Sequence, residues 1–131
     1  MANKMVPVIL IVEDDDSLSR MYSEIFEKEQ FIVVKASDGE DAIQKANTEK
    51  PDIIILDLML PKRGGLGVLQ IIKSNPETKN IPVIILTAYP QDEYREVAQN
   101  TGAIDFLSKS ETMPAQVAEK VKNIIGWNKG K

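Results

Sequence analysis

Five short apolar runs punctuate the chain, and each is followed by a stretch whose apolar residues recur every three or four positions. The runs cover residues 6–12, 31–36, 52–58, 81–88 and 103–109, are rich in β-branched residues and are bounded by Pro, Gly, Asp or Ser. Runs of that length and composition predict strands. Between them, Leu18, Met21, Tyr22 and Ile25 share one face of a helix predicted over 17–29. Ala42, Ile43 and Ala46 mark a second helix, and Leu66, Leu69 and Ile72 a third. Tyr94, Val97 and Ala98 mark a fourth, which Gly102 is placed to stop. Val117, Val121 and Ile124 mark a fifth, with Thr112 as its predicted cap and Pro114 in its first turn.

Strands apolar on both faces, alternating with helices, predict a parallel sheet covered on either side. Five such units in 131 residues fit an α/β doubly wound, flavodoxin-like (βα)5 fold with strand order 2-1-3-4-5. No composition shift or linker divides the chain. A single domain is expected over 1–131, with its core at about 6–126 and no output domain after the fifth helix.

In such sheets ligands bind beyond the C-terminal strand ends, near the point where the strand order reverses. The first run ends in Glu13 and Asp14, the third in Asp57, the fourth in Thr87 and the fifth in Lys109. The predicted order makes these four strands neighbours, so their polar ends share one rim. Taken singly, each residue has an ordinary explanation: Glu13 to Asp16 as a solvated helix start, Asp57 as a cap, Thr87 as a strand former, Lys109 as a surface lysine. Their coincidence at successive strand ends favours a site.

Carboxylates gathered at one rim repel. At an effective dielectric of about 20, two charges roughly 4 Å apart interact by about 4 kcal/mol. A proton or a divalent cation has to relieve the group. The chain has no His and no Cys, which excludes thiolate or imidazole metal ligands, a disulfide framework and a Ser-His-Asp triad. Oxygen ligation favours Mg²⁺ or Mn²⁺ over zinc. With Lys109 as a second cation and the Thr87 hydroxyl as a donor, these are the parts for phosphoryl transfer onto Asp57.

Composition narrows the setting further. At 43% hydrophobic and 27% charged the chain reads as globular, and no apolar stretch approaches a membrane span or a signal peptide, so a cytoplasmic location is expected. A net charge of −4 argues against a nucleic-acid surface. Lys120, Lys122, Lys129 and Lys131 read as a solvated helix end.

The residues ILIVEDD at 9–15, ILDLMLPKRGG at 55–65, ILTA at 85–88 and GAIDFLSK at 102–109 resemble, in order and spacing, the receiver domains of two-component response regulators. The resemblance covers nearly the whole chain. It implies that Asp57 accepts a phosphoryl group from the phosphohistidine of a sensor kinase or phosphotransfer protein. It implies that Asp14, Asp57 and the backbone carbonyl of Met59 bind Mg²⁺, with Glu13 acting through water. Thr87 and Lys109 would engage the phosphoryl group, and Thr87 and Phe106 would form the switch. Pro61 and Gly65 match the loop after the phosphoacceptor, while Asp15 and Asp16 belong to the helix start. The resemblance further implies a signalling module that catalyses only its own phosphorylation and dephosphorylation. Its output would pass to a downstream protein through the face of the fourth helix, fifth strand and fifth helix, with no direct nucleic-acid or membrane contact.

Ser110 departs from the family, which usually has a cis proline after the lysine. A trans Lys109–Ser110 bond, or a strained cis one, and an altered loop are expected here. Tyr89, two residues beyond Thr87, is placed to slow hydrolysis of the phosphoryl group. Two other classes share the sheet. A flavin module would need a hydroxyl- and glycine-rich loop where VEDDD stands, and an aspartyl phosphatase would want an acid where Met59 stands.

Overall fold

The computed structural model describes residues 6–128, so Lys129 and Lys131 lie outside the described residues. The elements alternate without exception: β1 (Val8–Val12), α1 (Asp16–Lys28), β2 (Ile32–Ala36), α2 (Gly39–Glu49), β3 (Ile53–Leu56), α3 (Gly65–Ser74), β4 (Val83–Thr87), α4 (Asp92–Thr101), β5 (Asp105–Ser108) and α5 (Pro114–Ile125). All strand pairs are parallel, in the order β2-β1-β3-β4-β5.

Side chains alternate across each strand, and this splits the core in two. Leu10, Val12, Ile54, Leu56, Val83, Ile85 and Phe106 pack with residues of α2, α3 and α4, including Ala42, Leu69 and Ala98. Ile9, Ile11, Ile53, Ile55, Ile84, Leu86 and Leu107 face α1 and α5 through Tyr22, Phe26, Val117 and Val121. Each fully buried Ile or Leu contributes roughly 1.5–3 kcal/mol relative to exposure. Phe26 sits edge-on to Phe31 at 5.1 Å. Phe31 in turn meets Trp127, whose Nε1 donates to the Glu29 carbonyl at 2.8 Å and seals the end of α5.

Several expectations need correction. The strands are shorter than the apolar runs, because the ladder ends before the apolar composition does. Asp57 and Leu58 follow β3, and Lys109 follows β5. β2 is not buried on both faces: as an edge strand with only β1 beside it, it leaves Ile32 exposed. Val97 of α4 also lies outside the core, at 47% exposure. Thr112 does not cap α5. The cap is Met113, held extended by the following Pro114, and its N–H donates to the Gln116 side chain at 2.7 Å. Lys122 is not merely solvated, since it pairs with Glu29 at 3.0 Å.

Other expectations agree. Asp15 caps α1 by accepting from the Leu18 N–H at 2.9 Å, with Asp16 in the first turn. Gly102 ends α4 at φ +116°, a conformation that favours glycine. No cis peptide occurs among the described residues, so Lys109–Ser110 is trans. Among the described residues, no helix is long and apolar enough to cross a membrane.

Candidate functional site

Backbone hydrogen bonds carry the sheet one residue beyond its strands, and these residues form the rim. The Glu13 N–H donates to Ala36 O at 3.0 Å, the Asp57 N–H to Val12 O at 3.1 Å and the Lys109 N–H to Thr87 O at 2.8 Å. The side chains that follow β1, β3 and β5 are therefore fixed by the ladder rather than carried on loose loops.

Glu13 and Asp57 are buried, at 5% and 6% exposure, while Asp14 is exposed. One oxygen from each of the three lies within 4.8 Å of the others. Lys109 Nζ stands between two of them, 2.6 Å from Glu13 Oε1 and 3.1 Å from Asp57 Oδ2. The second oxygens accept from the backbone: Glu13 Oε2 from the Asp15 N–H and Asp57 Oδ1 from the Met59 N–H, both at 3.2 Å. Burial pushes the Glu13 carboxyl above its ordinary value and the nearby Asp57 charge adds to this, against the opposing pull of Lys109. Burial works against the Lys109 charge, yet its bonds and attraction to Glu13 and Asp57 outweigh it and hold the amine above its ordinary value.

A lysine bridging two carboxylates leaves one negative charge in excess, and the exposed Asp14 beside them adds another. The donor set is oxygen throughout, which suits a hard divalent cation, and the cluster is compatible with one.

The loop after Asp57 is tightly built. The Gly65 N–H donates to Leu58 O at 2.7 Å. A Cβ on Gly65 would overlap the Asp57 carbonyl oxygen and come within 2.7 Å of Leu58 Cα. Lys62 and Arg63 tie the loop to α2 through Asp38 at 3.3 Å and Glu40 at 2.9 Å. Pro61 is exposed in this loop, and the Met59 side chain is exposed while its backbone adjoins Asp57.

Thr87 closes the rim from β4 and is fully buried. Its hydroxyl, expected to face a phosphoryl group, accepts from the Tyr89 N–H at 2.9 Å. Phe106 belongs to a different layer, packed in the core on the α2, α3 and α4 side. Sequence reasoning missed Arg95, whose guanidinium lies over the Phe106 ring at 4.7 Å. Nothing local to the sequence of α4 marks that contact.

The family model of the response regulator receiver domain matches residues 9–122. The chain is 36% identical over 117 residues to the alkaline phosphatase synthesis transcriptional regulatory protein PhoP of Bacillus subtilis, covering 89% of this chain and 48% of that protein. It thus spans about half the length of the curated relatives it matches. The signal receiver domain of a LuxO repressor protein from Vibrio parahaemolyticus superposes with a TM-score of 0.85 at 33% identity, covering 93% of this chain and 92% of that one. The receiver domain of a sensor histidine kinase from Pseudomonas aeruginosa PAO1, described with a magnesium ion coordinated in its active site cleft, superposes with a TM-score of 0.83. Its identity is 25%, over 93% of this chain and 99% of that one. With the sheet order, the acidic rim and a family match over most of its length in agreement, the chain belongs to the response regulator receiver domains of two-component systems.

Proposed function

We propose that the domain receives a phosphoryl group on Asp57 in a divalent-cation-dependent reaction and thereby changes a protein-binding surface. The observation that carries this reading is Lys109 Nζ bridging Glu13 and Asp57 inside a set of three converging carboxylates. An Asp57 oxygen attacks the phosphorus of a phosphohistidine donor. The new O–P bond gives an acyl phosphate, the P–N bond breaks, and the departing imidazole takes a proton.

Magnesium fits the donor set, and the neighbour with magnesium in its cleft supports that choice. Asp14, Asp57 and the Met59 carbonyl would hold it, with Glu13 acting through water. When bound, it would neutralise the carboxylates and the charge developing on the phosphoryl oxygens. Lys109, already on Asp57, is placed to pair with a phosphoryl oxygen. The Thr87 hydroxyl accepts from the Tyr89 amide and keeps its own hydrogen to donate to another.

Receiver domains exchange signals with histidine kinases and downstream effectors. For this chain the donor is a sensor kinase or phosphotransfer protein in the cytoplasm, and output runs through α4, β5 and α5. Relatives named as transcriptional regulators support a role in gene control for proteins that join such a domain to another segment. The absence of direct nucleic-acid contact is proposed for this domain alone.

The test is incubation with phosphoramidate and Mg²⁺, read by intact mass. Wild type gains one phosphoryl group, and Asp57→Asn gains none. Equal labelling of both proteins, or no labelling of wild type, overturns the reading.

A further inference from the structure

The outer face of α4 carries Asp92, Glu93 and Glu96, all exposed, whereas its one cation, Arg95, is half-buried. Arg95 grips Phe106 twice. Its guanidinium lies over the ring, 4.7 Å from the centroid, and Nη1 donates to the Phe106 carbonyl at 3.1 Å. β5 is an edge strand paired only with β4, so carbonyls on its open side lack a strand partner. Arg95 supplies one of them with a donor. A planar, forked cation can stack and donate at once, which an ammonium group does poorly.

The same arginine ends an unbroken chain of hydrogen bonds that starts at the rim. Thr87 Oγ1 accepts from the Tyr89 N–H at 2.9 Å. Tyr89 O accepts from the Gln91 N–H at 2.9 Å, and Gln91 O from the Arg95 N–H at 3.0 Å. Movement of the Thr87 oxygen towards Asp57 shifts the acceptor of the first link and so pulls on the start of α4.

We infer that Arg95 is a positioning residue that clamps Phe106 in the core and makes α4 and β5 move as one unit, so that a displacement of Thr87 is felt at Phe106. The direction of the signal rests on the reading of Asp57 as phosphoacceptor; the clamp itself does not.

The chain has three phenylalanines, so ring-labelled protein assigned with Phe106→Leu isolates the Phe106 signal by NMR. In Mg²⁺ alone, the wild-type ring shows one set of resonances and contacts to Arg95. Arg95→Ala broadens or splits that set. With phosphoramidate added, the wild-type Tyr89 amide and Phe106 ring respond together. In Arg95→Ala the Tyr89 response persists, while that of the Phe106 ring falls at least about fivefold, the lower end of usual coupling strengths. Arg95→Lys restores part of it and serves as the probe should the alanine variant fail to fold. Unchanged Phe106 spectra in Arg95→Ala without phosphodonor overturn the clamp, and an unchanged Phe106 response with it overturns the coupling. Absence of phosphoryl uptake by wild type, read by mass, would instead strike the Asp57 reading and leave the magnesium-only spectra to decide the clamp.

Discussion

The hydroxyl of Thr87 is held by the backbone amide of Tyr89, 2.9 Å away, and points its acceptor side along the β4–α4 loop. In this state Thr87 serves the loop. A hydroxyl that accepts keeps its own hydrogen to donate, so what ties the loop to the occupancy of Asp57 is the position of the Thr87 oxygen. A shift of it towards a phosphoryl group displaces the acceptor of the Tyr89 amide, and the two placements are biased by different contacts.

Thr87→Ala should therefore leave phosphoryl uptake on Asp57 detectable while abolishing the accompanying change in α4. It removes a buried hydroxyl with one partner and should cost about 1 kcal/mol. Denaturant melts give the cost, and amide shifts of α4 with and without phosphoramidate give the uncoupling.

The pair of Lys109 and Glu13 sets a pH dependence in metal-free protein. The folded Lys109 amine lies above the ordinary 10.5. Its contribution is complete below pH 10.5 and disappears as pH rises through the raised value. Glu13 also lies above its ordinary 4.5, so its contribution is complete below pH 4.5 and is lost as the buried carboxylate ionises above its raised value. In chelator, Glu13→Gln should melt higher than wild type near neutrality and converge with it below pH 4.5. Added Mg²⁺ should raise the wild-type Tm more than that of the variant. Parallel melting curves at all pH values would contradict this.

Gly65 packs directly against the backbone of the phosphoacceptor. Gly65→Ala forces a methyl group into the Asp57 carbonyl and should cost roughly 1–3 kcal/mol. It should also slow phosphoryl uptake, since Asp57 cannot hold its place. Gly67→Ala, whose added Cβ would meet only the Arg63 side chain at 3.5 Å, should leave the uptake rate near wild type. Equal rates for Gly65→Ala and Gly67→Ala would refute the argument.

Tyr89 is half exposed beside the rim, at 51%. Two residues beyond Thr87, its ring is expected to shield the approach to Asp57 from water. Tyr89→Ala should shorten the lifetime of the phosphorylated protein severalfold, measured by the decay of phosphoprotein after donor removal. An unaltered decay would leave the ring with no part in protection.

Much of the site was legible because the βα alternation places Glu13, Asp57, Thr87 and Lys109 at successive strand ends once the strand order is assumed. The cap of α5 was misread at Thr112 because residue type was weighed above the restriction that Pro114 places on Met113. Val97 belongs to the apolar stripe that marks α4 yet lies outside the core, because such a stripe marks a face without saying how wide a strip the sheet covers.

The alternation of five strands with five helices is written along the chain, since periods of two and three to four residues reflect local backbone geometry. The placing of acids, a hydroxyl and a lysine at the ends of particular apolar runs is equally local. That Lys109 reaches Glu13, 96 residues away, and Asp57, 52 residues away, emerges from the packed fold. It alone turned the Thr87 hydroxyl to Tyr89 and laid Arg95 across Phe106. Those contacts depend on side-chain direction across the sheet and between layers, which arises when distant segments pack and leaves no periodic trace along the chain.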